Sequence, residues 1–401
     1  MALLKAVHVS DVPNLDQVPE NASVALYSLS NTFSEGVESV CNGGDGGRKS
    51  SRFRIPKFMV IGHRGSGMNM MQSSDQRMKA IKENSVLSFN AAGKSDIHFI
   101  EFDVQVTKDD YPVIFHDNFI LAEEKGSLIE KRVTDLTLAE FLSHGPQREP
   151  INVGKPLFRK IKDGRIFKWN VEVDDPLCTL QEVFQKVEHS LGFNIELKFD
   201  DNIVYKEEYL AHVLQLILQV VFESAKDRPI IFSSFQPDAA RLIRKMQSIY
   251  PVFFLTNGGS EIYRDTRRNS LDEAIKLCLE SGLQGIVSEV KAIFRNSGEI
   301  ARIKESNLSL ISYGQLNNVA EAVHMQYIMG VEGVIVDLVQ EVTVAVSGFT
   351  NPAAYEKVKE DEEGRGFLGE ERQMQVKAKP HFSHHELSFL LKLISELMIQ
   401  H

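Results

Sequence analysis

Short apolar runs alternate with longer amphipathic stretches from residue 58 onward. The runs have the length and composition of β-strands, and they predict nine of them, at residues 58–62, 99–104, 112–115, 193–198, 230–233, 252–255, 285–287, 308–312 and 333–336. Apolar positions at helical spacing predict helices at residues 85–93, 180–189, 209–223, 237–248, 270–281 and 318–329. Such alternation favours parallel strands joined by right-handed crossovers. The pattern therefore predicts an α/β protein with a (β/α)8 TIM barrel.

The pattern contains one strand more than the eight of a closed barrel. Only a tight Lys108-Asp109-Asp110 turn separates the second predicted strand from the third. A turn this short can join only antiparallel neighbours, because a parallel pair needs a long crossover. We therefore expect a barrel over residues 53–349 with an antiparallel hairpin at its second and third strands.

Three segments lie outside the alternation. Residues 1–52 are rich in Ser, Gly and Asn and lack periodicity, which predicts a flexible N-terminal extension; a transit segment is the alternative, although the extension is acidic. Residues 350–401 are interpreted as a charged linker and an amphipathic helix at 387–399, which favours a core or homodimer contact over a membrane anchor. The long insertion at 118–179 is interpreted as a lid or specificity element or, equally, as a solvated surface excursion. It contains a predicted helix at 137–143 and a basic patch of Arg159, Lys160, Lys162, Arg165 and Lys168.

Composition narrows the class of protein. The apolar fraction of 43% and the charged fraction of 25% are typical of soluble globular proteins. The net charge of −10 argues against nucleic acid as the main partner, because phosphate backbones are bound by basic faces. No apolar stretch reaches the ~20 residues of a transmembrane helix. Cys41, Cys178 and Cys278 form neither a disulfide nor a metal pattern, which favours a reducing compartment.

Carboxylates interrupt the apolar strands at two places. Glu101 and Asp103 lie two residues apart on the second strand, so both project from one face, and Glu196 shares a face with Lys198 on a later strand. Like charges this close repel one another unless a cation or a proton offsets them. We therefore expect Glu101, Asp103 and Glu196 to hold a divalent metal. A structural salt bridge, such as one between Glu196 and Lys198, is the alternative for each acid.

Further polar residues are predicted at the carboxyl ends of the strands, where parallel barrels carry their chemistry. His63 and Arg64 follow the first strand, and His116 ends the hairpin. Arg64 and Lys198 suit phosphate oxygens, and two imidazoles can serve as base and acid near neutral pH. With a dication that polarises a phosphoryl oxygen, these are the groups that phosphodiester hydrolysis requires.

The motifs around these residues resemble those of glycerophosphodiester phosphodiesterases, and they are most similar to the plant branch of that family. The resemblance runs from about residue 58 to residue 346. It rests on H-R-G at 63–65, E-N-S at 83–85, E-F-D-V-Q-V-T-K-D at 101–109, P-V-I-F-H-D at 112–117, N-I-E-L-K at 194–198, S-S-F at 233–235 and S-Y-G-Q-L-N-N at 312–318. It implies a TIM barrel that cleaves glycerophosphodiesters to sn-glycerol 3-phosphate and a free alcohol such as choline or ethanolamine, in phospholipid turnover and phosphate recycling.

The resemblance also implies roles for particular side chains. The catalytic histidines of the family fall on His63 and His116, and its phosphate-binding residues fall on Arg64 and Lys198. Its metal-binding acids are Glu101, Asp103 and Glu196, with Glu83 as an additional ligand or a ligand-orienting group. All-oxygen ligation fits both Mg²⁺ and Ca²⁺, and the plant resemblance favours Mg²⁺.

One departure concerns the last strands. Many bacterial relatives have a Trp-Thr-Val-Asn-like run there, whereas this chain has Tyr-Gly-Gln-Leu-Asn at residues 313–317. An aromatic residue and an asparagine are still present, so we expect substrate contacts from Tyr313 and Asn317, together with Asn84. The head-group preference is left open by this departure.

Several alternatives stay open at this point. A lysophospholipase D-type diesterase would act on acylated substrates, and a barrel that has lost activity would serve as a binding protein; assays of purified protein on glycerophosphocholine and lysophosphatidylcholine separate the three. The nucleophile is either water or the glycerol 2-hydroxyl of the substrate. The plant resemblance favours a plastid location, with the cytoplasm as the alternative.

Overall fold

The computed structural model describes residues 58–124, 126–149 and 151–350. The predicted N-terminal extension and the C-terminal helix lie outside these residues. Nine of the strands found there match the predicted strands to within two residues. The strands are β1 (Met59–Gly62), β2 (Phe99–Val106), β3 (Pro112–Ile114), β4 (Phe119–Glu124), β5 (Ser127–Arg132), β6 (Leu157–Lys160), β7 (Ile166–Lys168), β8 (Gly192–Leu197), β9 (Ile230–Ser234), β10 (Val252–Thr256), β11 (Gly285–Glu289), β12 (Ser309–Tyr313) and β13 (Gly333–Val336).

Helices follow most of the barrel strands, as the apolar periodicity predicts. In the described residues they are α1 (Val86–Ala92), α2 (Leu138–Leu142), α3 (Leu180–Lys186), α4 (Glu207–Ser224), α5 (Pro237–Met246), α6 (Leu271–Ser281), α7 (Val290–Arg295), α8 (Gly298–Glu305), α9 (Ala320–Met329) and α10 (Val339–Thr350). The longest, α4, buries Leu210, Leu214, Ile217 and Val221 at helical spacing against the barrel. None of the helices in the described ranges is both long and apolar enough to span a bilayer.

Eight parallel strands close into a barrel in the order β1, β2, β8, β9, β10, β11, β12, β13, and β13 pairs back to β1. The first strand of the barrel therefore lies beside the last. β3 runs antiparallel to β2, with Val104 opposite Ile114. The predicted TIM barrel and its hairpin are confirmed.

The alternation of side chains along β2 shows how the fold positions the acids. Phe99 faces the interior of the barrel, where an apolar cluster fills the lower layers. Phe102 and Val104 face outward and pack in the layer between strands and helices. Glu101 and Asp103 continue the inward face of Phe99 toward the carboxyl end of the strand. The period of the strand therefore places two carboxylates inside the upper mouth of the barrel.

The insertion at 118–179 forms a small subdomain that shares an apolar core with the hairpin of the barrel. Four antiparallel strands pair in the order β5, β4, β6, β7, beside helix α2. Phe115, Phe141, Leu157 and Trp169 pack together beneath this sheet. The interpretation as a solvated excursion is corrected, because this segment buries an aromatic core against the barrel.

Candidate active site

The carboxyl ends of the barrel strands bring most of the predicted site residues to one mouth. Some lie on or directly after strands β1, β2, β3 and β8, and others open helix α1. Direct side-chain or backbone contacts connect most members of this group, and His116 is linked to Glu83 through Asp117 and Arg159. The group consists of His63, Arg64, Glu83, Asn84, Glu101, Asp103, His116, Glu196 and Lys198.

Three carboxylates meet inside the mouth. One oxygen each of Glu101, Asp103 and Glu196 lies within 4.8 Å of the others, and all three residues are buried. Burial and the neighbouring Asp103 carboxylate raise the pKa of Glu101 to about 8, and burial also raises the pKa of Glu196. Such shifts are expected where like charges share a dry site without a cation.

The donor set of this carboxylate group fits a divalent cation. Glu101 Oε1 and Asp103 Oδ1 are buried and have no hydrogen-bond partner, although buried polar atoms in proteins ordinarily have one. Carboxylate oxygens are the hard ligands that Mg²⁺ and Ca²⁺ prefer. Within the described ranges this is the one cluster of three or more acidic, His or Cys side chains close enough to share an ion.

Two cationic side chains border the carboxylates. Lys198 Nζ donates to Glu196 Oε1 at 2.7 Å and lies 3.5 Å from Asp103 Oδ1. The backbone N–H of Arg64 donates to Glu101 Oε2 at 3.0 Å, while Arg64 Nε lies 3.5 Å from Asp103 Oδ2 and makes no hydrogen bond. The mouth therefore presents positive charge beside the acids, as phosphate binding requires.

His63, which follows the first strand of the barrel, is held by a carboxylate that follows the last strand. Its Nδ1 is 2.7 Å from Oδ1 of Asp337, which follows β13 directly, and its Nε2 is 3.9 Å from Glu101 Oε2. Asp337 accepts hydrogen bonds from the Met68 backbone N–H and from Asn318 Nδ2, both at 2.9 Å. Burial acts to lower the pKa of His63, but the Asp337 carboxylate outweighs it and raises that pKa.

His116 has the opposite electrostatic environment. Its Nδ1 lies 2.7 Å from Oδ1 of the next residue, Asp117. Burial, together with the positive charges of Arg64 and Lys198, lowers the pKa of His116 to about 4. The side chains of His63 and His116 are 23% and 32% exposed, so both rings reach the open side of the mouth. The two imidazoles are therefore biased toward different protonation states at neutral pH.

Glu83 lies outside the group of three carboxylates. Its Oε1 accepts hydrogen bonds from Arg64 Nη1 and Arg159 Nη2, each at 2.7 Å. Its Oε2 accepts from Arg159 Nη1 at 2.9 Å and from the backbone N–H of Asn69. Burial would raise the pKa of Glu83, but the two arginines hold it well below the usual range. Both oxygens are thus engaged, which favours the orienting role over that of an additional metal ligand.

Asn84 faces Asp103 instead of the open mouth. Arg64 and Asn84 both have left-handed backbones, with φ of 50° and 53°, a region that non-glycine residues seldom adopt. The Asn84 backbone N–H donates to the Arg64 carbonyl at 3.0 Å, and Asn84 Nδ2 donates to Asp103 Oδ2 at 2.8 Å. The expected substrate contact of Asn84 is corrected accordingly, because the buried amide orients a carboxylate.

Tyr313 lies at the mouth, on the last residue of β12. Its half-buried ring meets Phe235 edge to face, with ring centroids 5.9 Å apart. Its hydroxyl donates to Asn257 Oδ1, at the end of β10. Tyr313 thus forms part of a wall opposite the carboxylates, and its predicted substrate contact stays a prediction.

Asn317 is placed differently from the prediction. Its side chain is fully buried, and Nδ2 donates to the carbonyls of Ser312 and Ile335, each at 3.0 Å. Its Oδ1 accepts from Gln326 Nε2 at 2.9 Å. The expected substrate contact is corrected, because the amide nitrogen ties β12 to β13 and the amide oxygen binds Gln326 of α9.

Sequence reasoning missed three charged residues at this site. Asp337 and Asp117 hold the two histidines, and Arg159 of the insertion binds both Glu83 and Asp117. A signal for Asp337 existed, since it is an acid directly after the last predicted strand. Arg159 had no such signal, because a basic residue in a long insertion is usually solvated.

Comparisons with known proteins agree with this geometry. The model of the Glycerophosphoryl diester phosphodiesterase family matches residues 63–341. Glycerophosphodiester phosphodiesterase GDPD1, chloroplastic, of Arabidopsis thaliana is 57% identical over 399 residues, which cover 99% of each chain. Glycerophosphodiester phosphodiesterase GDPD3 of the same plant is 66% identical over 300 residues, which cover 75% of this chain and 81% of that protein.

A solved structure shares the fold at much lower identity. It is that of an Oleispira antarctica phosphodiesterase in complex with the product sn-glycerol-3-phosphate, at 18% identity and a TM-score of 0.51, and it covers 73% of this chain and 97% of that chain. The likeness supports the barrel architecture. Since the family model spans most of the chain and includes the carboxylates, the cations and both histidines, the chain belongs to the glycerophosphoryl diester phosphodiesterase family.

Proposed function

We propose that this protein hydrolyses glycerophosphodiesters, such as glycerophosphocholine and glycerophosphoethanolamine, to sn-glycerol 3-phosphate and the free alcohol. The observation that carries the proposal is the meeting of three buried carboxylates, two cations and two carboxylate-paired histidines at one barrel mouth. The Arabidopsis relatives named glycerophosphodiester phosphodiesterases support the substrate class.

Glu101, Asp103 and Glu196 would hold a divalent cation, with Mg²⁺ favoured and Ca²⁺ as the alternative. When bound, such an ion supplies Lewis-acid polarisation of a phosphoryl oxygen. Lys198 holds Glu196 in place, because it donates to that carboxylate at 2.7 Å, and its charge opposes the rise that burial causes in the pKa of Glu196. Asn84 holds Asp103 in place in the same way, because its Nδ2 donates to Oδ2 of that carboxylate at 2.8 Å.

Arg64 and Lys198 would bind the phosphate oxygens of the substrate. Arg64 is oriented from behind by Glu83, which accepts from its Nη1, and its Nε makes no hydrogen bond within the protein. A guanidinium held in this way offers fixed donors to an anion at little further entropic cost. Tyr313 and the neighbouring Phe235 would pack against the organic part of the substrate.

The two histidines would divide the proton transfers between them. His116, whose pKa is lowered to about 4, is neutral at pH 7 and suits a general base; with Nδ1–H donated to Asp117, its Nε2 is free to accept a proton. That proton comes from water or from the glycerol 2-hydroxyl of the substrate. His63, whose pKa Asp337 raises against the effect of burial, suits the acid that protonates the departing alcohol.

The test is a metal-depleted sample assayed on glycerophosphocholine before and after addition of Mg²⁺ or Ca²⁺. We expect turnover only with a dication and the products choline and sn-glycerol 3-phosphate. Phosphocholine and glycerol as products would place the cut on the wrong side of the phosphorus. Full activity without a dication would show that the carboxylates do not hold a metal that turnover requires. Lysophosphatidylcholine as a second substrate tests the lysophospholipase D alternative in the same assay.

We also propose a plastid location, because the relative GDPD1 that matches 99% of this chain is named chloroplastic. A fusion of residues 1–52 to a fluorescent protein, expressed in plant cells, tests it. Cytoplasmic fluorescence would favour the alternative. A homodimer through the C-terminal helix stays a prediction that sedimentation of the full chain can check.

A further inference from the structure

Arg159 stands apart from the other basic residues of the insertion. It lies on β6 and is 7% exposed, whereas the side chains of Lys160, Lys162 and Arg165 are 50%, 97% and 64% exposed. Its guanidinium reaches out of the inserted sheet and into the barrel mouth, where it meets the buried Glu83 and the partly exposed Asp117. The predicted basic patch is therefore one inward-facing arginine among solvated neighbours.

All five N–H donors of Arg159 are used within the protein. Nη1 donates to Glu83 Oε2 at 2.9 Å and to the Asn69 carbonyl at 3.0 Å. Nη2 donates to Glu83 Oε1 at 2.7 Å and to Asp117 Oδ1 at 3.1 Å, and Nε donates to Asp117 Oδ2 at 3.0 Å. Only a planar guanidinium can chelate two carboxylates in this way, since a lysine offers three donors from a single atom.

Each acid that Arg159 binds also makes a hydrogen bond to a side chain that is proposed to contact substrate. Glu83 Oε1 also accepts from Arg64 Nη1 at 2.7 Å. Asp117 Oδ1 also pairs with His116 Nδ1 at 2.7 Å. A single carboxylate therefore separates Arg159 from the phosphate-binding arginine on one side, and another separates it from the proposed general base on the other.

Trp169 of the insertion packs against this guanidinium. The Arg159 guanidinium carbon lies 3.9 Å from the centroid of the indole ring, and Lys82 Nζ lies 3.5 Å from the same centroid. The indole N–H donates to Asn69 Oδ1 at 3.0 Å. Cation–π contacts with Lys82 and Arg159, together with the indole hydrogen bond, hold this ring beside the arginine.

We propose that Arg159 is a positioning residue through which the inserted sheet sets the orientation of both Arg64 and His116. The inference rests on the proposed function. It predicts that activity depends on the inserted subdomain. The carboxylates that orient Arg64 and His116 cannot keep their geometry without the Arg159 guanidinium that binds them both. A displacement of about 1 Å at such a group costs on the order of 10²-fold in rate.

The first test is Arg159→Lys, which keeps the charge and removes the fork. We expect kcat to fall by about 10–100-fold. We also expect KM to rise, because the N–H donors of Arg64 are no longer held toward the phosphate of the substrate. An unchanged circular-dichroism spectrum and a cooperative melting curve would show that the variant is folded. A folded variant with wild-type kcat and KM overturns the inference.

The second test is chemical rescue of Arg159→Ala by millimolar guanidinium. We expect added guanidinium to restore turnover at least severalfold, and methylammonium or NaCl at equal ionic strength to restore none, because only the planar ion can join Glu83 to Asp117. Equal rescue by all three additives would contradict the positioning role. If Arg159→Ala does not fold, Arg159→Lys decides the question.

Arg228 provides the matched control. It is 2% exposed, its guanidinium carbon lies 4.0 Å from the Phe193 ring centroid, and it donates to the carbonyls of Val187, Glu188 and Leu191 at the opposite end of the barrel. Arg228→Lys should lower the melting temperature without changing kcat or KM, and Arg228→Ala should show no guanidinium rescue. A kcat loss in Arg228→Lys equal to that of Arg159→Lys would make the effect a general one of buried arginines and would sink the inference.

Binding of inorganic phosphate separates this inference from the proposed reaction. If wild-type protein yielded no sn-glycerol 3-phosphate, the proposed function would be wrong, yet the placement of Arg64 could still be measured as phosphate affinity by calorimetry. Arg159→Lys should weaken that affinity about tenfold, as the loss of one aligned charged donor pair does, and Arg228→Lys should leave it unchanged. Equal phosphate affinities in Arg159→Lys and the wild type would refute the inference.

Discussion

Metal binding to this protein should release protons in an amount that depends on pH. Burial and the Asp103 carboxylate raise the pKa of Glu101 from 4.5 to about 8 in the metal-free protein. The carboxylate cluster of Glu101, Asp103 and Glu196 therefore holds a proton at pH 7 that it loses above about pH 8. A dication requires the ionised carboxylate. Binding of Mg²⁺ should therefore release close to one proton near pH 7 and almost none near pH 9.

The same pKa sets the pH dependence of metal affinity and of stability. Below pH 8, each unit decrease in pH should raise the apparent Kd for Mg²⁺ about tenfold, which is a loss of ~1.4 kcal/mol in binding free energy. The folded metal-free protein binds the Glu101 proton more tightly than the unfolded chain does. This stabilisation is complete below pH 4.5 and is lost as the pH rises to about 8.

Titration calorimetry in buffers of different ionisation enthalpy measures this release directly. Glu101→Gln should abolish the release and most of the metal affinity. The matched control is Glu332→Gln at the amino end of β13, where burial raises the pKa of another glutamate to about 7. That variant should release protons as the wild type does. Tight Mg²⁺ binding near pH 7 without proton release, or with release that does not decline toward pH 9, would refute the reasoning.

Three further predictions follow from the contacts at the mouth and beneath it. His63→Ala and His116→Ala should each lower kcat by about 10²–10⁴-fold in steady-state assays with saturating Mg²⁺, because each removes a general acid or base; near-wild-type turnover in either variant contradicts the assignment. Asp337→Asn should lower kcat more than it raises KM, because it leaves His63 in place but removes the carboxylate that sets its tautomer and its charge. Asn317→Ala should lower the free energy of unfolding in urea by about 1–3 kcal/mol, since it orphans the carbonyls of buried strands, while the folded variant keeps its kcat.

Periodicity in the sequence was sufficient for the barrel and for the three carboxylates. The spacing of Glu101 and Asp103 on an apolar strand requires one inward face, and closure of the barrel then brings Glu196 beside them. The short turn after β2 likewise requires an antiparallel neighbour. These features were predictable because each depends on local geometry and on one rule of topology.

Features that depend on long-range pairing were not predictable. The strands of the inserted sheet are short and partly exposed, so their sequences lack the strong alternation that marks the barrel strands. Arg159 looks like its solvated neighbours until β6 turns it inward toward Glu83. Asn317 carries the residue type of a binding site, but whether an amide meets substrate or backbone is decided by the placement of Ser312 and Ile335 around it.

The pairing of β1 with β13 has a consequence for how the enzyme is made. His63 leaves the ribosome 274 residues before the Asp337 carboxylate that holds it. Throughout synthesis of the intervening strands the nascent chain can carry its histidine, its acids and its arginine, yet it lacks the group that orients the first imidazole. Catalytic competence is thus withheld until the last strand docks, and a product truncated anywhere before that strand should be unable to consume substrate in the cell.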